Sequence, residues 1–250
     1  SNASDNFYLQ DPNSKTCYIV DLKTLLNSRK FVPDEQFRYS SEVLPTSDLC
    51  LLDDNRYIGY HMWYLDDKQF SKVDSPLGYY QKGEDSGKGM DDFPFFVASV
   101  NGARLFKNPQ TQELWTADMH RDAIRIYNDS LKQIRELVGP DHFSPEYTRR
   151  QIDAPVAFVT FADECDYHAY TDYYITDKHI YLVYEGNKHF DMKNLSPVEI
   201  FKLDFDGNLL CNYKLDRYVY SISINKKEDT LYCASRPSVM EPPVILKYKL

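Results

Sequence analysis

Short runs of alternating apolar and polar residues recur along the chain, and five of them share one pattern. Each has Tyr or Trp at its second position and Val, Gly or Ala at its fourth. Residues two apart lie on the same face of a β-strand, so each run predicts a strand that pairs a large aromatic side chain with a small neighbour. The runs are residues 17–21, 56–60, 114–118, 180–184 and 231–235.

Each of these runs has strand-like companions. The run 219–224 and the polar turn 225–229 precede residues 231–235, which is a hairpin pattern. A third run, in which apolar and basic residues alternate, follows some of the repeated segments. In two cases a turn connects this third run to a fourth run, and the turns are Asn128-Asp129-Ser130 and Asp204-Phe205-Asp206-Gly207-Asn208. Four antiparallel strands in sequence form a propeller blade. The sequence therefore predicts five such units, the last of which lacks a fourth strand.

The predicted fold class is all-β, a β-propeller built as a single domain over residues 4–250. At roughly 40–45 residues a blade, the length suits about six blades, and five stay an alternative. The stretch 140–169 has room for a degenerate blade. We expect Phe7-Tyr8-Leu9 to supply the missing last strand, because closing the ring removes an exposed edge. A helical pattern occurs at 22–26 and at 122–137, but the second is better explained as two strands around a turn.

Composition narrows the possible functions. The net charge of −9 argues against a nucleic-acid partner, and no apolar run approaches the roughly 20 residues of a membrane span. Five scattered cysteines without CxxC spacing argue against a disulfide framework or a zinc cage. Cys17, Cys211 and Cys233 stand inside predicted strands, so we expect them to be buried.

The chain resembles the TolB-like six-bladed β-propellers of Gram-negative bacteria, most strongly from Phe93 to Leu250. Residues 201–215, with their Asp-Gly turn, are similar to that family's recurrent hairpin, and 220–235 followed by 244–250 are similar to its end. Residues 87–93 resemble its Gly-x-Gly-Pro-x-x-Phe loop, with Met90 at the proline position, and 139–143 resemble a degenerate copy. The resemblance implies blade architecture and brings no catalytic set.

Many members of that family are predicted to be secreted or lipid-anchored. We therefore expect this protein in the periplasm or at the cell surface, with a lipid anchor on the full-length protein as an open alternative. The opening Ser1-Asn2-Ala3 matches the remnant of a cleaved expression tag and is left out of the fold prediction. The sequence leaves open whether a secretion signal was removed together with such a tag.

The densest polar cluster of the sequence includes Asp163, Asp166 and His168, with Asp172 just beyond it. Carboxylates and an imidazole are groups that bind a metal or transfer protons. In the run that follows, alternation places His168, Tyr170, Asp172 and Tyr174 on one strand face, which would line the central channel if this strand is innermost. The alternative is a solvated loop that leads into an ordinary strand.

Four long segments, 83–93, 139–155, 185–197 and 235–243, are expected to be loops on one face of the propeller. Loops longer than a hairpin needs are often functional, although they also occur as variable surface without a ligand. These segments carry the candidate binding residues His142, Tyr147, Arg149, Arg150, His189 and Arg236.

The predicted function is a non-catalytic binding scaffold of the cell envelope that recognises a glycan, peptide or protein partner on this long-loop face. No catalytic residue, cofactor or metal ligand is assigned, because the sequence has no HExxH or GxSxG motif. The acidic turn at 204–208 is not an EF-hand loop, since its twelfth position is Leu215. The alternative is a metal-assisted hydrolase or lyase with its site at the channel mouth.

Overall fold

The structure is a computed structural model that describes residues 6–45, 47–52, 55–62, 75–85, 96–98, 101–153, 156–161, 167–187, 195–236, 238 and 240–250. At residues 6, 96–98, 148–153, 156–160 and 187 it describes the backbone alone. The chain divides into two compact units, Ser1–Val97 with Gln151–Phe158 and Ala98–Arg150 with Val159–Leu250. The prediction of a single domain over 4–250 stays a prediction.

The described residues contain one helix, α1 (Leu22–Ser28), and twenty strands. The strands are β1 (Asn6–Asp11), β2 (Thr16–Asp21), β3 (Glu35–Arg38), β4 (Cys50–Leu51), β5 (Arg56–Tyr60), β6 (Leu77–Gln81), β7 (Phe96–Ala98), β8 (Ala103–Lys107), β9 (Leu114–Asp118), β10 (Ala123–Tyr127), β11 (Gln133–Val138), β12 (Tyr147–Asp153), β13 (Val156–Phe161), β14 (His168–Ile175), β15 (Ile180–Asn187), β16 (Glu199–Leu203), β17 (Leu209–Lys214), β18 (Val219–Ile224), β19 (Thr230–Ser235) and β20 (Val244–Lys249).

These strands form six separate sheets. The first unit contains the three-stranded sheets β1-β2-β3 and β4-β5-β6, and the second contains the four-stranded sheets β8-β9-β10-β11 and β14-β15-β16-β17 and the three-stranded sheet β18-β19-β20. In each of these five sheets the strands pair antiparallel in chain order, as in a propeller blade. A sixth sheet has the order β12-β13-β7.

The five repeated segments predicted from sequence are all second strands of their sheets, namely β2, β5, β9, β15 and β19. Their aromatic residues differ in burial. Tyr57, Trp115 and Tyr181 are fully buried, whereas Tyr18 is half-buried and Tyr232 is 39% exposed. In β19 the neighbours Leu231 and Cys233 point into the core, so alternation places Tyr232 on the outer face.

The core of the second unit lies on both faces of the β14–β17 sheet. On one face Leu182 and Phe201 pack in a cluster with Trp115 and Ile124 of the β8–β11 sheet. On the opposite face Tyr181 and Val183 pack with residues of the β18–β20 sheet. Burying each large apolar side chain contributes roughly 1.5–3 kcal/mol, so this double packing explains why Ile180 to Tyr184 is an unbroken buried run.

Turn residues set the hairpins where the sequence predicted them. Asn128 Oδ1 accepts hydrogen bonds from the backbone N–H groups of Ser130 and Lys132 between β10 and β11. Asp204 Oδ1 does the same for Asn208 between β16 and β17, where Gly207 has φ +87°. The pattern at 122–137 is therefore two strands around a turn, as predicted.

Helix α1 confirms the shorter helical pattern at 22–26. Asp21 caps its first turn by accepting a hydrogen bond of 2.7 Å from the Thr24 N–H. The helix ends at Arg29, whose left-handed backbone lets its N–H donate to the Leu25 carbonyl. Within the described part of the chain, no helix is long and apolar enough to cross a membrane.

One strand assignment differs from the sequence prediction, whereas the stretch 140–169 holds extra strands as expected. Phe7-Tyr8-Leu9 lies in β1, which pairs with β2 and does not complete the last sheet. A four-residue connection joins β1 to β2, and closing a short hairpin costs less entropy than pairing the chain termini. The stretch 140–169 contains β12 and β13, which supply the sixth sheet.

The cysteines follow the expected burial at two of three positions. Cys17 and Cys233 are buried, and burial raises the pKa of Cys17 to about 11 and that of Cys233 to about 12. Both thiols are therefore neutral at physiological pH. Cys211 is half-buried, because β17 is an outer strand of its sheet.

Candidate functional site

Polar side chains converge at one end of the three sheets of the second unit. At this end the second strand of each sheet ends and the first strand begins. Glu185 lies near the end of β15, Arg236 follows β19 directly, and His120 stands two residues after β9. His168 is the first residue of β14, and Tyr218 immediately precedes β18. We refer to His120, His168, Glu185, Tyr218 and Arg236 as the loop-face cluster.

Glu185 and His168 form the centre of this cluster. Nδ1 of His168 lies 3.7 Å from a carboxylate oxygen of Glu185, and the two side chains are 16% and 1% exposed. Pairing between β14 and β15 sets this contact, because the two strands run antiparallel and Glu185 lies close to the His168↔Asn187 pair. A carboxylate this deeply buried provides a strong hydrogen-bond acceptor at the base of the cluster.

His120 adds a second imidazole. Its Nδ1 lies 2.9 Å from the backbone oxygen of Tyr167, and its ring centroid is 5.4 Å from that of His168 in an edge-on arrangement. A carbonyl oxygen only accepts, so Nδ1 of His120 donates and the neutral ring presents Nε2 as an acceptor. The Phe161 ring, 4.4 Å away between centroids, packs on the imidazole and restricts its orientation.

Tyr218 and Arg236 complete the cluster from the β18–β20 sheet. Burial, and then the charge of nearby Glu185, raise the pKa of Tyr218, while Arg236 opposes the shift. Tyr218 is therefore a neutral hydroxyl at physiological pH. Ser235 Oγ donates a hydrogen bond of 2.6 Å to the Tyr218 carbonyl, and the Arg236 guanidinium lies 5.0 Å from the Tyr220 ring centroid.

The cluster combines one carboxylate and one guanidinium with a phenol and two imidazoles. These groups offer both donors and acceptors and carry no net formal charge when the histidines are neutral. Such a set suits hydrogen bonding to an uncharged polar ligand. Among the residues that the structure describes, no group of three or more His, Cys, Asp or Glu side chains is placed to hold a metal ion.

The predicted channel residues are only partly brought together. His168 belongs to the loop-face cluster, whereas Asp163 and Asp166 lie outside the described residues. Asp172 instead accepts a hydrogen bond of 2.8 Å from the Ile222 backbone N–H, and burial raises the pKa of its carboxyl group. Strand β14 contacts both β8 and β18, the first strands of the other two sheets in this unit, as expected of an innermost strand.

The expectation that His168, Tyr170, Asp172 and Tyr174 share one face is wrong. Register shifts interrupt the pairing of β14 with β15 on both sides of Tyr170. The extra residue of the second shift lies in β14 between Tyr170 and Asp172, and it moves the following side chains to the other face. Tyr170 accordingly packs in the cluster with Trp115, whereas Tyr174 packs on the opposite side of the sheet.

The predicted loop residues have different outcomes. Arg236 joins the loop-face cluster, and His142 lines a cavity whose walls include none of that cluster. Tyr147, Arg149 and Arg150 do not lie in a loop, because residues 147–153 form β12 and pair with β13. The side chains of Arg149 and Arg150 and the whole of His189 lie outside what the structure describes.

Sequence reasoning missed His120, Glu185 and Tyr218. A signal for two of them was available in the repeat itself. Glu185 and Arg236 directly follow repeated segments, and His120 stands two residues beyond another. Equivalent positions in successive blades emerge at the same end of the sheets, so polar residues there were candidates for one site.

Comparison with known proteins agrees with this architecture. The model of the family described as TolB-like 6-blade propeller-like matches residues 64–227. The chain belongs to this family. The TolB-like resemblance predicted from sequence is thereby confirmed, although residues 228–250, which also carried that prediction, lie beyond the match. Membership of the TolB-like family favours a binding or scaffold role and identifies no partner.

One solved structure supports the same fold. A member of the DUF4221 family from Bacteroides vulgatus is similar with a TM-score of 0.56 and 10% identity, over 99% of this chain and 76% of that one. Kuenenia stuttgartiensis hydrazine synthase is similar with a TM-score of 0.44 and 9% identity, over 100% of this chain and 64% of that one. At these identities the likeness to the DUF4221 protein shows the fold alone. No curated protein matches the sequence.

Proposed function

We propose that this TolB-like propeller is a non-catalytic binding scaffold of the cell envelope, and that the loop-face cluster is the centre of its binding surface. The convergence of His168, Glu185 and Arg236 from separate strands carries this proposal. Location in the periplasm or at the cell surface, with a lipid anchor as an alternative, rests on the family to which the chain belongs.

The chemistry of the cluster favours a neutral glycan over a peptide or a protein as the ligand. Arg236 donates hydrogen bonds, His120 Nε2 accepts them, and the His168 imidazole, which lies 3.7 Å from the buried Glu185 carboxylate, does either. Hydroxyl groups of a sugar both donate and accept, and so match such a mixed set. The formal charges of Glu185 and Arg236 cancel, which gives a charged peptide no electrostatic advantage.

Half-buried aromatic rings around the cluster support the same ligand class. Tyr218 and Tyr220 are half-buried, and Tyr220 is held in place by the Arg236 guanidinium. Aromatic side chains combine an apolar face with a polar edge, and both parts contact sugar rings well. A ligand above these tyrosines would contact Arg236 and the His168 ring, and the buried Glu185 carboxylate lies 3.7 Å from Nδ1 of that ring.

Binding of neutral hexasaccharides, measured by thermal shift and then by calorimetry, tests the proposal. A ligand that binds the native state alone raises the melting temperature by mass action. Glu185→Gln and Arg236→Ala should each weaken binding of a positive saccharide by about tenfold or more. Arg135→Ala is the matched control, because the Arg135 guanidinium also lies over an aromatic ring, that of Trp115.

Two results would count against this function. Equal affinities in the Glu185→Gln, Arg236→Ala and Arg135→Ala variants would remove the cluster from the binding surface. A melting-temperature shift with Ca²⁺, Mg²⁺, Mn²⁺ or Zn²⁺ that is lost in Asp163→Asn or Asp166→Asn would favour the metal-assisted hydrolase or lyase. That alternative depends on Asp163 and Asp166, which the structure does not describe.

A further inference from the structure

A cavity of about 330 Å³ lies between the β8–β11 and β14–β17 sheets of the second unit. Its apolar lining comes from both sheets. Ile124, Phe201 and Leu203 are buried members of the core cluster, while Val138 and Leu209 remain 54% and 57% exposed. The cavity therefore reaches from the core to the surface between the two sheets, and its opening is lined by apolar side chains.

A few polar groups interrupt this apolar lining. His142, Asn212 and Tyr170 are among the lining residues, and Asn212 Nδ2 donates a hydrogen bond to Glu199 Oε2. The Tyr170 hydroxyl donates a hydrogen bond of 3.2 Å to Asp122 Oδ1. Predominantly apolar walls with a small number of polar groups are the usual composition of a small-molecule site.

The segment that carries His142 is fixed in place by a buried carboxylate. Asp122 Oδ2 accepts hydrogen bonds of 2.7 and 2.8 Å from the backbone N–H groups of Asp141 and His142. The Gly139 N–H donates to the Asp122 carbonyl at 3.1 Å. A Cβ atom on Gly139 would lie 1.9 Å from Asp122 Oδ1, so the chain passes directly against this carboxylate.

His142 adopts a backbone conformation that non-glycine residues rarely adopt, with φ +54°. Such strain persists where the surrounding contacts determine the conformation, and it concentrates at binding sites. Here the hydrogen bonds to Asp122 hold the strained residue at the cavity wall. These hydrogen bonds hold the backbone of this wall segment in one conformation, and a preorganised site lowers the entropic cost of binding.

We propose that this cavity binds a small, largely apolar molecule of one or two rings that carries one hydrogen-bonding group. Its volume is about twice that of a cavity of roughly 150 Å³ that holds benzene, and it falls within the range of known ligand sites. The ring system would contact Ile124, Phe201 and Leu209. Its polar group would bond to His142 or Asn212. This site is independent of the loop-face cluster and of the proposed glycan.

Titration of the full chain with phenol, indole, 2-naphthol and cyclohexanol tests this inference, with binding followed by calorimetry. Leu209→Gln and Leu210→Gln form a matched pair, because these neighbours in β17 are 57% and 51% exposed and Leu209 alone lines the cavity. Leu209→Gln should weaken 2-naphthol binding by about tenfold. Leu210→Gln should change it by less than about twofold.

A second readout needs no variant in the cavity wall. Saturating 2-naphthol should shift the ring signals of His142 in an NMR spectrum of the wild-type protein and leave those of His168 unchanged. Saturable binding with these effects supports the proposal. Absence of saturable binding by all four probes, or equal weakening by both leucine variants, would overturn it. Binding of a peptide such as N-acetylphenylalaninamide while none of the four probes binds would also overturn it, in favour of a polypeptide partner.

Discussion

Nδ1 of His179 lies 2.6 Å from a carboxylate oxygen of Glu228, and this contact joins the β14–β15 turn to the β18–β19 turn. Thr176 Oγ1 donates a hydrogen bond to the other oxygen of the same carboxylate. Lys202 Nζ lies 3.4 Å from the oxygen that contacts His179. The Glu228 side chain is 9% exposed. Neighbouring sheets of the second unit are therefore connected by a charge network at one end, in addition to their apolar core.

Replacement of this carboxylate should destabilise the protein. Burial opposes ionisation of Glu228, but hydrogen bonds from Thr176 and His179 and the charges of His179 and Lys202 outweigh it and lower the pKa. Glu228→Gln should reduce the free energy of unfolding at neutral pH by about 1–3 kcal/mol. Urea denaturation measures this difference. Glu84→Gln, at an exposed position, is the control and should change it by less than about 0.5 kcal/mol.

The same network predicts a pH dependence. Because the folded pKa of Glu228 is lower than its ordinary value of 4.5, its contribution is complete above that value and is lost as the pH falls through the folded pKa. The stability difference between wild type and Glu228→Gln should therefore shrink in the acidic window that begins near pH 4.5 and extends below it. A difference that stays constant over this window would contradict the assignment.

Loss of the Asp122 carboxylate should destabilise the protein more than loss of the Tyr170 hydroxyl that donates to it. Asp122→Ala leaves the N–H groups of Asp141 and His142 without their acceptor and should lower the free energy of unfolding by about 2–3 kcal/mol. Tyr170→Phe removes one hydrogen bond to the same carboxylate and should cost about 0.5–1.5 kcal/mol. Chemical denaturation of both variants tests the order, and a larger effect of Tyr170→Phe would contradict it.

Aromatic residues at equivalent positions of the repeat should contribute unequally to the free energy of unfolding. Trp115 is fully buried between two sheets, so Trp115→Ala should cost about 3–5 kcal/mol of unfolding free energy. Tyr232 holds the same repeat position on an outer face, and Tyr232→Ala should cost less than about 1 kcal/mol. Urea midpoints of the two variants provide the comparison. Equal losses would show that the outer face of the last sheet is also packed.

Alanine substitutions at two glycines should distinguish the cost of backbone strain from the cost of a steric clash. Gly83 has φ +78° and Gly207 has φ +87°, so both have a left-handed backbone. A Cβ atom on Gly83 would have no neighbouring atom within 4 Å, whereas a Cβ atom on Gly207 would lie 2.7 Å from Leu137 Cδ1. Gly83→Ala should therefore cost about 1–2 kcal/mol from strain alone. Gly207→Ala should cost more, because Leu137 must also move. Thermal unfolding of both variants tests this, and an equal loss would exclude the steric contribution.

Local signals explain which parts of the fold the sequence could predict. Alternation and turn residues within about fifteen positions identified β10, β11, β16 and β17, and the pattern at 22–26 identified α1. Pairing of β7 with β13 was not predictable in this way, because it brings together segments nearly sixty residues apart. Their short or irregular runs carry no register information of their own.

The candidate site was predicted only in part for a related reason. His168 and Arg236 stand out in the sequence as polar residues beside strand-like runs, whereas Glu185 only opens the predicted loop 185–197 and Tyr218 only precedes the predicted strand 219–224. Their convergence depends on how three successive sheets stack. The register shifts around Tyr170, which remove Asp172 from the His168 face, leave no mark in the residue alternation of β14.

Histidine ring NMR during titration with neutral hexasaccharides tests the central claim most directly. The chain has six histidines, and single His→Gln variants assign their signals. We predict saturable shifts of the His168 and His120 signals, no shift of His142, and loss of the response in Glu185→Gln. Saccharide binding that leaves His168 and His120 unchanged, or that persists at full affinity in Glu185→Gln, would contradict a binding surface centred on the loop-face cluster.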